Sequence, residues 1–325
     1  MATYVRTQEI AHDIGARGRF ALRVTSSDVE LRAGDGPTAT VRVQLELRAD
    51  SEEEADELFE RVRFNHRAAD GSLEVSEPRR NEAGIGSIAR LLGIGSSRLE
   101  ASVSAEVPRD AEVTFEGVSA DVTASGFHGA QQYRTVSGDL VLDRIAGSVR
   151  VRGVSGDVSL RADDPIRLEM NTVSGDASAF APRFDELRLV TVSGDVELEG
   201  ELAARGAHRI ETVSGDLSLG VVDGLTLEVR GLSSDTRVSV PHRSEGSRDR
   251  RRYIIGGGDA NLLFSSMSGD VSVHPSRRVA PSSAPSQSAA PVEDDEQLAI
   301  LRALEAGEID VEEAANRLAG RRTDA

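Results

Sequence analysis

Several residue types are missing or scarce in this chain of 325 residues. It has no cysteine, no tryptophan and only three tyrosines, and all 38 of its basic residues are arginine because the sequence contains no lysine. The absence of cysteine excludes disulfides, thiolate metal sites and cysteine nucleophiles. Aromatic residues make up only 3% of the chain. We therefore expect a core of valine, leucine and isoleucine.

Positive charge is also in deficit, since 55 acidic residues against 38 basic ones give a net charge of −17. Nucleic-acid binding requires a basic surface, so this balance predicts no nucleic-acid partner. The chain has no apolar run of membrane-spanning length, and its first residues do not read as a secretory signal, so we expect a cytoplasmic protein. Residues 84–97 place four apolar residues at helical spacing: Ile85, Ile88, Leu91 and Leu92. This segment is expected either to cover the core or to contact a membrane surface or a partner.

One tetrapeptide, Val-Ser-Gly-Asp, recurs five times at almost equal intervals, with near-copies that end at Asp121, Asp235 and Asp270. We number each copy and near-copy from its aspartate, which is position zero. The aspartates are Asp121, Asp139, Asp157, Asp176, Asp195, Asp216, Asp235 and Asp270, with steps of 18 to 21 residues and a final step of 35. A fixed period near 20 residues is typical of stacked supersecondary units.

Apolar residues fill fixed columns of this alignment. Position −8 carries Val113, Gln131, Val149, Leu168, Leu187, His208, Leu227 and Leu262. Position −6 carries Phe115, Tyr133, Val151, Met170, Leu189, Ile210, Val229 and Phe264. Position −3 carries Val118, Val136, Val154, Val173, Val192, Val213, Leu232 and Met267, and further apolar residues follow at +1 and +3.

The parity of the apolar columns changes between −6 and −3, which predicts two short strands joined by a bend near −5 or −4. The repeats differ in length only between position +3 and position −8 of the next repeat. This part of each repeat is therefore predicted to tolerate insertions. Position −1 holds glycine in six repeats but Ala120 and Ser234 in two, which favours a requirement for a small residue over one for positive φ.

These repeats resemble a known bacterial family, the "putative adhesin" β-strand-repeat family called domain of unknown function 4097. The resemblance covers roughly residues 20–274 and rests on the repeated Thr-Val-Ser-Gly-Asp strings and on MSGDVSV at 267–273. It implies a β-solenoid-like domain and no established general activity. We predict a mostly β protein: a single-stranded β-solenoid of about eight coils of 18–21 residues, with an N-terminal β-rich cap and a C-terminal helical hairpin.

The predicted domains are a cap at 1–110, the solenoid at 111–274, a linker at 275–293 and a helical hairpin at 294–320. In the cap, residues 40–49 and 98–107 alternate like strands, and residues 51–62 predict a helix with a Ser51–Glu54 capping box. The linker is rich in proline, serine and alanine. The hairpin resembles the short helical C-terminal domains of the SHOCT-like kind, which implies protein interaction or self-association through a seam of Leu298, Leu301, Leu304, Ile309 and Leu318.

The outward-facing repeat residues form the main candidate site. This surface ladder consists of Asp139, Asp157, Asp176, Asp195 and Asp216 with Ser137, Ser155, Ser174, Ser193 and Ser214. We expect local hydrogen bonding to dominate there, with a cation or polar-ligand array as the alternative. The threonine column beside it (Thr135, Thr172, Thr191, Thr212) is interpreted as solvated strand, although an exposed hydroxyl face is the alternative.

We expect no enzyme, no catalytic residues, no cofactor and no metal site, because the aspartates repeat instead of converging and the six histidines lie far apart. We interpret His208 as a core residue. Residues 242–252 carry five arginines and are expected to be a solvated insertion or a contact for an acidic partner, such as the C-terminal segment. The preferred function is therefore a non-enzymatic, adhesin-like interaction scaffold, for which a role at the cell envelope is one option. The alternative is a surface that binds cations or an envelope polymer.

Overall fold

The structure is a computed structural model that describes residues 2–78, 99–222, 224–233, 235–247 and 250–276. Strands dominate the described residues, and no helix among them is long and apolar enough to cross a membrane. The chain divides into two compact units, residues 1–148 and 149–325. A mostly β protein with an open sheet is confirmed.

The first unit contains eleven strands and one helix in the described residues. They are β1 (Ala2–Asp13), β2 (Arg19–Val24), β3 (Asp28–Gly34), β4 (Thr38–Ala49), α1 (Glu52–Val62), β5 (Asn65–Ala69), β6 (Ser72–Ser76), β7 (Leu99–Pro108), β8 (Glu112–Gly117), β9 (Val122–Ser125), β10 (Gln131–Arg134) and β11 (Leu140–Arg152), whose last residues cross the unit boundary.

Repeats in the first unit stack in parallel, each giving one strand to either side of the bend. Strand β10 pairs with β8 and β11 pairs with β9, while β8 and β9 pair in turn with β2 and β3. Val29 is the register partner of Val122, so Asp28 occupies position zero beside Asp121. The prediction that the repeat is absent before residue 110 is therefore wrong. The sequence "SSD" at 26–28 is a repeat without the glycine.

Antiparallel strands cover the outermost repeat strands of this unit. Strand β4 pairs antiparallel with β7 and β1 pairs with β4, while β5 pairs antiparallel with β6. Helix α1 packs on β4 and β1, and its Ser51 Oγ accepts a hydrogen bond from Glu54 N at 3.2 Å. The predicted helix and its N-terminal serine cap are confirmed, and such covering of an exposed edge prevents uncontrolled strand pairing.

The second unit contains eleven further strands in the described residues. They are β12 (Val158–Asn171), β13 (Ala177–Val190), β14 (Val196–Leu202), β15 (His208–Glu211), β16 (Leu217–Val221), β17 (Leu225–Ser233), β18 (Thr236–Val238), β19 (His242–Ser247), β20 (Arg250–Ile255), β21 (Ala260–Ser268) and β22 (Val271–Pro275).

The stacking order in the second unit differs from the chain order. Strand β21 lies between β15 and β17, and β22 lies between β16 and β18, with parallel pairing throughout. The repeat of Asp270 is thus inserted between those of Asp216 and Asp235. The 35-residue step is explained by β19 and β20, which form an antiparallel hairpin that pairs with β17.

The interior columns at −8 and −6 are buried in every predicted repeat, as are those at +1 and +3 outside the repeat of Asp235. Column −3 is only partly interior. Val136 and Val154 are buried, whereas Val173, Val192 and Val213 are half-buried and Met267 is 57% exposed. The threonines at −4 are buried instead, so the apolar parity continues to −4 and the bend lies between −4 and zero. The predicted solvated threonine face is wrong.

The tolerant side between +3 and the next −8 is a continuous strand in several repeats. Strand β12 runs from Val158 to Asn171 and pairs with β13, and the register shifts on either side of Ile166. A bulge of this kind absorbs an extra residue without breaking the ladder.

Three sequence predictions lie outside the described residues. They are the apolar segment with Ile85, Ile88, Leu91 and Leu92, the linker after residue 276, and the hairpin with its seam of Leu298, Leu301, Leu304, Ile309 and Leu318.

Candidate functional site: the aspartate ladder and its groove

Glycine at position −1 gives the bend its shape. All six glycines of this column have a positive φ, between 109° and 149°. At Gly194, where φ is 119°, an added Cβ would also lie 2.2 Å from the carbonyl oxygen of Gly175 in the neighbouring repeat. The prediction that a small residue suffices is therefore wrong for these repeats. Glycine serves both for its conformation and for close backbone approach.

The aspartate carboxylates bond the bends of neighbouring repeats together. In the second unit each Oδ1 accepts a hydrogen bond from the backbone N–H of the aspartate in the next repeat. The distances are 2.8 Å from Asp176 N to Asp157, 2.8 Å from Asp195 N to Asp176, 2.9 Å from Asp216 N to Asp195, 2.7 Å from Asp270 N to Asp216 and 3.1 Å from Asp235 N to Asp270. In the first unit, Asp139 N donates to Asp121 at 2.9 Å.

The backbone of each ladder aspartate is bonded in the opposite direction as well. For example, Ala177 N donates to the carbonyl of Asp195, and Val196 N donates to that of Asp216. A hydrogen bond to an ionised carboxylate is stronger than one between neutral groups, and it offsets part of the repulsion between stacked carboxylates. The repeated aspartate is thus a structural element of the bend, although its side chain reaches the surface.

The serine and threonine columns complete this bonding. The serine N–H at −2 donates to the carbonyl at −3 of the preceding repeat, as in Ser193 to Val173 and Ser214 to Val192. The buried hydroxyl of Thr191 donates to the carbonyl of Ser193 at 3.2 Å, and that of Thr135 to Ser137 at 3.1 Å. The hydroxyl of Thr172 bonds Ser174 in the same way, so threonine at −4 saturates a carbonyl inside the bend in three repeats, whereas the buried hydroxyl of Thr212 has no partner among the described residues.

An open groove of about 830 Å³ runs along the ladder in the second unit. It is lined, in spatial order, by Asp176, Asp195, Asp216, Asp270 and Asp235, and Glu197 adds a further carboxylate. None of these five aspartates forms an ion pair with another described residue. The described part of the chain contains no group of three or more His, Asp or Glu residues arranged to hold a metal ion. The groove is acidic, with Arg237 and Arg251 also among its lining residues.

Most of the predicted ladder is brought together by the fold. Asp176, Asp195 and Asp216 line the groove, and Ser174, Ser193 and Ser214 lie at the adjoining bends. Asp157 and Ser155 begin the ladder of the second unit, whereas Asp139 and Ser137 belong to the first. Sequence reasoning missed Glu197 and Arg251 as lining residues. The alternation of buried and exposed residues along β14 places Glu197 outward, so the sequence pattern contained a signal for this glutamate.

A second kind of carboxylate site lies where β20 of the hairpin pairs with β17, which carries Glu228. Glu228 accepts hydrogen bonds from Arg250 at 2.8 Å and from Arg230 at 2.7 Å, and Arg252 lies 3.6 Å away. The hydrogen bond from Arg250, followed by the interactions with Arg230, lowers the pKa of Glu228 to about 2. Part of the arginine run at 242–252 is thus bound by one acid.

Polar side chains inside the stack are held by backbone carbonyls. The ring of His208 is 5% exposed, and its Nε2 lies 2.8 Å from Ala203 O, which agrees with the interpretation of a core histidine. Gln131 donates to Ala146 O at 3.0 Å, and its Oε1 accepts the hydroxyl of Tyr133. Complete burial raises the pKa of Tyr133.

Ser218 and His274 are the closest arrangement to a nucleophile and a base in the described residues. Ser218 Oγ lies 3.2 Å from His274 Nε2, and His274 Nδ1 lies 3.0 Å from the carbonyl of Pro275. Because a carbonyl can only accept, Nδ1 donates and Nε2 accepts from the serine. No described carboxylate bonds this histidine.

Comparison with known proteins identifies this repeat pattern. The family model described as Toastrack DUF4097 matches residues 19–274. The chain is similar to a solved "putative adhesin" from Bacteroides fragilis, at 10% identity and a TM-score of 0.43, covering 83% of this chain and 97% of the other. A "putative lipid binding protein" from Parabacteroides distasonis is similar at 13% identity and a TM-score of 0.30, covering 83% and 96%. The search of curated proteins found no match.

Proposed function

The chain belongs to the Toastrack DUF4097 family, and from this premise we propose that it is a non-enzymatic, adhesin-like scaffold that displays the outer face of its second unit to protein partners. The observation that carries the proposal is that the ladder carboxylates bond to backbone N–H groups of neighbouring repeats. Each repeated carboxylate bonds the backbone of the next repeat, so the repeated residues build a surface instead of performing a reaction. Repeat architectures use such extended surfaces for binding.

Glu197 is the residue through which to test the display surface. It is exposed, points outward from β14 and lines the groove without taking part in the ladder. We expect Glu197→Arg to abolish capture of the partners that the full-length wild-type chain retains in affinity purification with mass spectrometry. The matched control is Glu186→Arg, which makes the same charge change at an exposed position outside the groove. Equal capture by both variants would contradict the proposal.

A second candidate function is binding of a cation or a cationic polymer in the groove. The five aspartates without ion pairs among the described residues favour it. Under the scaffold proposal, calorimetry with calcium shows no tight binding, and calcium leaves the melting curve unchanged relative to a chelator. A stabilisation of several degrees by calcium, lost in Asp216→Asn, would instead support the ion-binding function.

The finer organisation is also part of the proposal. We propose a β-solenoid of about eight coils or more, a linker at 275–293 and a SHOCT-like helical hairpin at 294–320 that associates with a protein partner or another copy of the chain. The pairing of β2 and β3 with β8 and β9 supports a repeat array that begins near residue 19. The cytoplasmic location and the peripheral membrane contact stay predictions.

A further inference from the structure

The last repeat of the second unit is covered on one strand only. Strand β17 pairs with β20 on its outer side, whereas β18 pairs, among the described residues, with β22 alone. The backbone groups of Thr236–Val238 on the outer edge of β18 are therefore open to a further segment. Exposed strand edges are usually covered, and this one is protected only by its short length and by Arg237.

Three arginines lie in this last repeat and in the hairpin that follows it. Arg237 and Arg243 are exposed, Arg251 is half-buried, and none of the three forms an ion pair within the described residues. Residues 236–247 and 250–255 together contain five arginines and a single acid, Glu245. Within these two stretches basic residues outnumber acidic ones, although Asp235 and Asp270 line the groove together with Arg237 and Arg251, and Glu228 binds Arg250. We call Arg237, Arg243 and Arg251 the end arginines.

The chain leaves the described structure beside this edge. Strand β22 ends at Pro275, and Val273 is the register partner of Val238 on β18. Residues 277–292 follow, and residues 293–319 then contain nine acids and two arginines. Sixteen residues can span at most about 55 Å, whereas adjacent strands lie only about 5 Å apart. The acidic segment can therefore reach the end arginines without strain.

We infer that the acidic segment 293–319 docks on the end arginines of its own chain and covers the open edge of β18. Individual exposed ion pairs are weak, but tethering raises the effective concentration of the segment to the millimolar range, so a weak interaction becomes well populated. The docking uses the acidic side chains of the segment, whereas the proposed association with a partner or another copy uses its apolar seam. The inference also holds whether or not the groove captures a partner, so it can fail separately from the proposed function.

The absence of cysteine allows a direct distance measurement in the full-length chain. Ser239→Cys, at an exposed position directly after β18, and Ala299→Cys, in the acidic segment, provide a unique pair of labels for energy transfer or spin–spin distances. At low salt we expect a predominant short-distance population. At 1 M salt, where the screening length falls to about 3 Å, we expect the broad distribution of a free linker.

Charge reversal at the edge tests the arginines. Arg237→Glu with Arg243→Glu should abolish the short-distance population at low salt. The control, Arg17→Glu with Arg67→Glu, makes the same charge change at exposed positions of the first unit and should leave it intact. A tail variant in which residues 293–296 become Gln, Asn, Asn and Gln lies outside the described fold and should also abolish it.

Two outcomes would overturn the inference. One is a distance distribution that is unchanged by salt and by both the arginine and the tail variants. The other is energy transfer between two different chains, each carrying one label, after they are mixed. In this outcome a doubly labelled chain shows no transfer when it is diluted in unlabelled protein. In that case the occupant of the edge would be a second copy.

Discussion

The bend ladder and the terminal hairpin of the second unit stabilise carboxylates in different ways. The ladder aspartates accept hydrogen bonds from backbone N–H groups at 2.7–3.1 Å. Glu228 instead accepts hydrogen bonds from arginine side chains. In the ladder, a carboxylate depends only on the next repeat having the same backbone path. In the hairpin, it depends on particular arginines.

This difference explains where the sequence repeats and where it varies. A backbone donor is present in every repeat, so the same residue can be used in each one and the stack can be extended without new partners. An arginine cluster has to be supplied by specific side chains and occurs at the end of the stack, where β20 replaces a repeat. We expect changes of backbone conformation to disrupt the ladder and a fall in pH to weaken the contact between Glu228 and its arginines.

Disruption of the bend gives the largest expected effect. Gly194→Val forces a branched side chain onto a φ of 119° and against the carbonyl of Gly175, 2.2 Å from the added Cβ. Backbone strain of about 1–3 kcal/mol and overpacking of about 1–3 kcal/mol together predict a loss of roughly 4 kcal/mol in the free energy of unfolding. Urea unfolding followed by circular dichroism measures this loss. Gly36→Ala, where a Cβ meets nothing within 4 Å, is the control and should be nearly neutral.

Removal of one ladder carboxylate has a smaller expected effect. Asp195→Ala deletes the acceptor of Asp216 N and should cost about 1 kcal/mol. Asp195→Asn keeps an oxygen acceptor and removes a charge that repels Asp176 and Asp216, so we expect a stability close to that of the wild type. Thermal melts at low and high salt compare the two. If Asn destabilises as much as Ala, the charge itself is essential and the account of the ladder is wrong.

Titration of Glu228 gives the smallest effect and acts where the hairpin pairs with β17. Its pKa is lowered in the folded protein to about 2, from 4.5. The stabilisation is therefore complete above pH 4.5 and is lost as the pH falls toward 2. We expect the melting-temperature difference between wild type and Glu228→Gln to be largest near pH 6 and to shrink between pH 4.5 and 2. The corresponding difference for Asp195→Asn serves as the comparison. A gap for Glu228→Gln that stays constant with pH would contradict the assignment.

The site could be located from the sequence, but its chemistry could not. The period of about 20 residues identified Asp176, Asp195 and Asp216 as one outward column, because residues at equal positions in stacked repeats must align. Each carboxylate accepts a hydrogen bond from the N–H of a residue in the next repeat. The amino-acid sequence does not report the distance between those two groups. Asp28 was missed for a related reason. Its repeat lacks the glycine and lies 93 residues from Asp121, although the two are neighbours in the stack.

The sequence by itself determined the strand-rich fold and the interior columns at −8, −6, +1 and +3, because alternation of apolar and polar residues specifies which side of a strand is buried. Tertiary structure alone decided the inward position of the threonines at −4, which depends on a carbonyl that needs a donor inside the bend. It also decided the stacking order. Any two of these repeats present similar edges for parallel pairing, so no local preference selects the neighbour of the Asp216 repeat. The β19–β20 hairpin occupies the outer side of β17, and the repeat of Asp270 is therefore inserted between β17 and the repeat of Asp216.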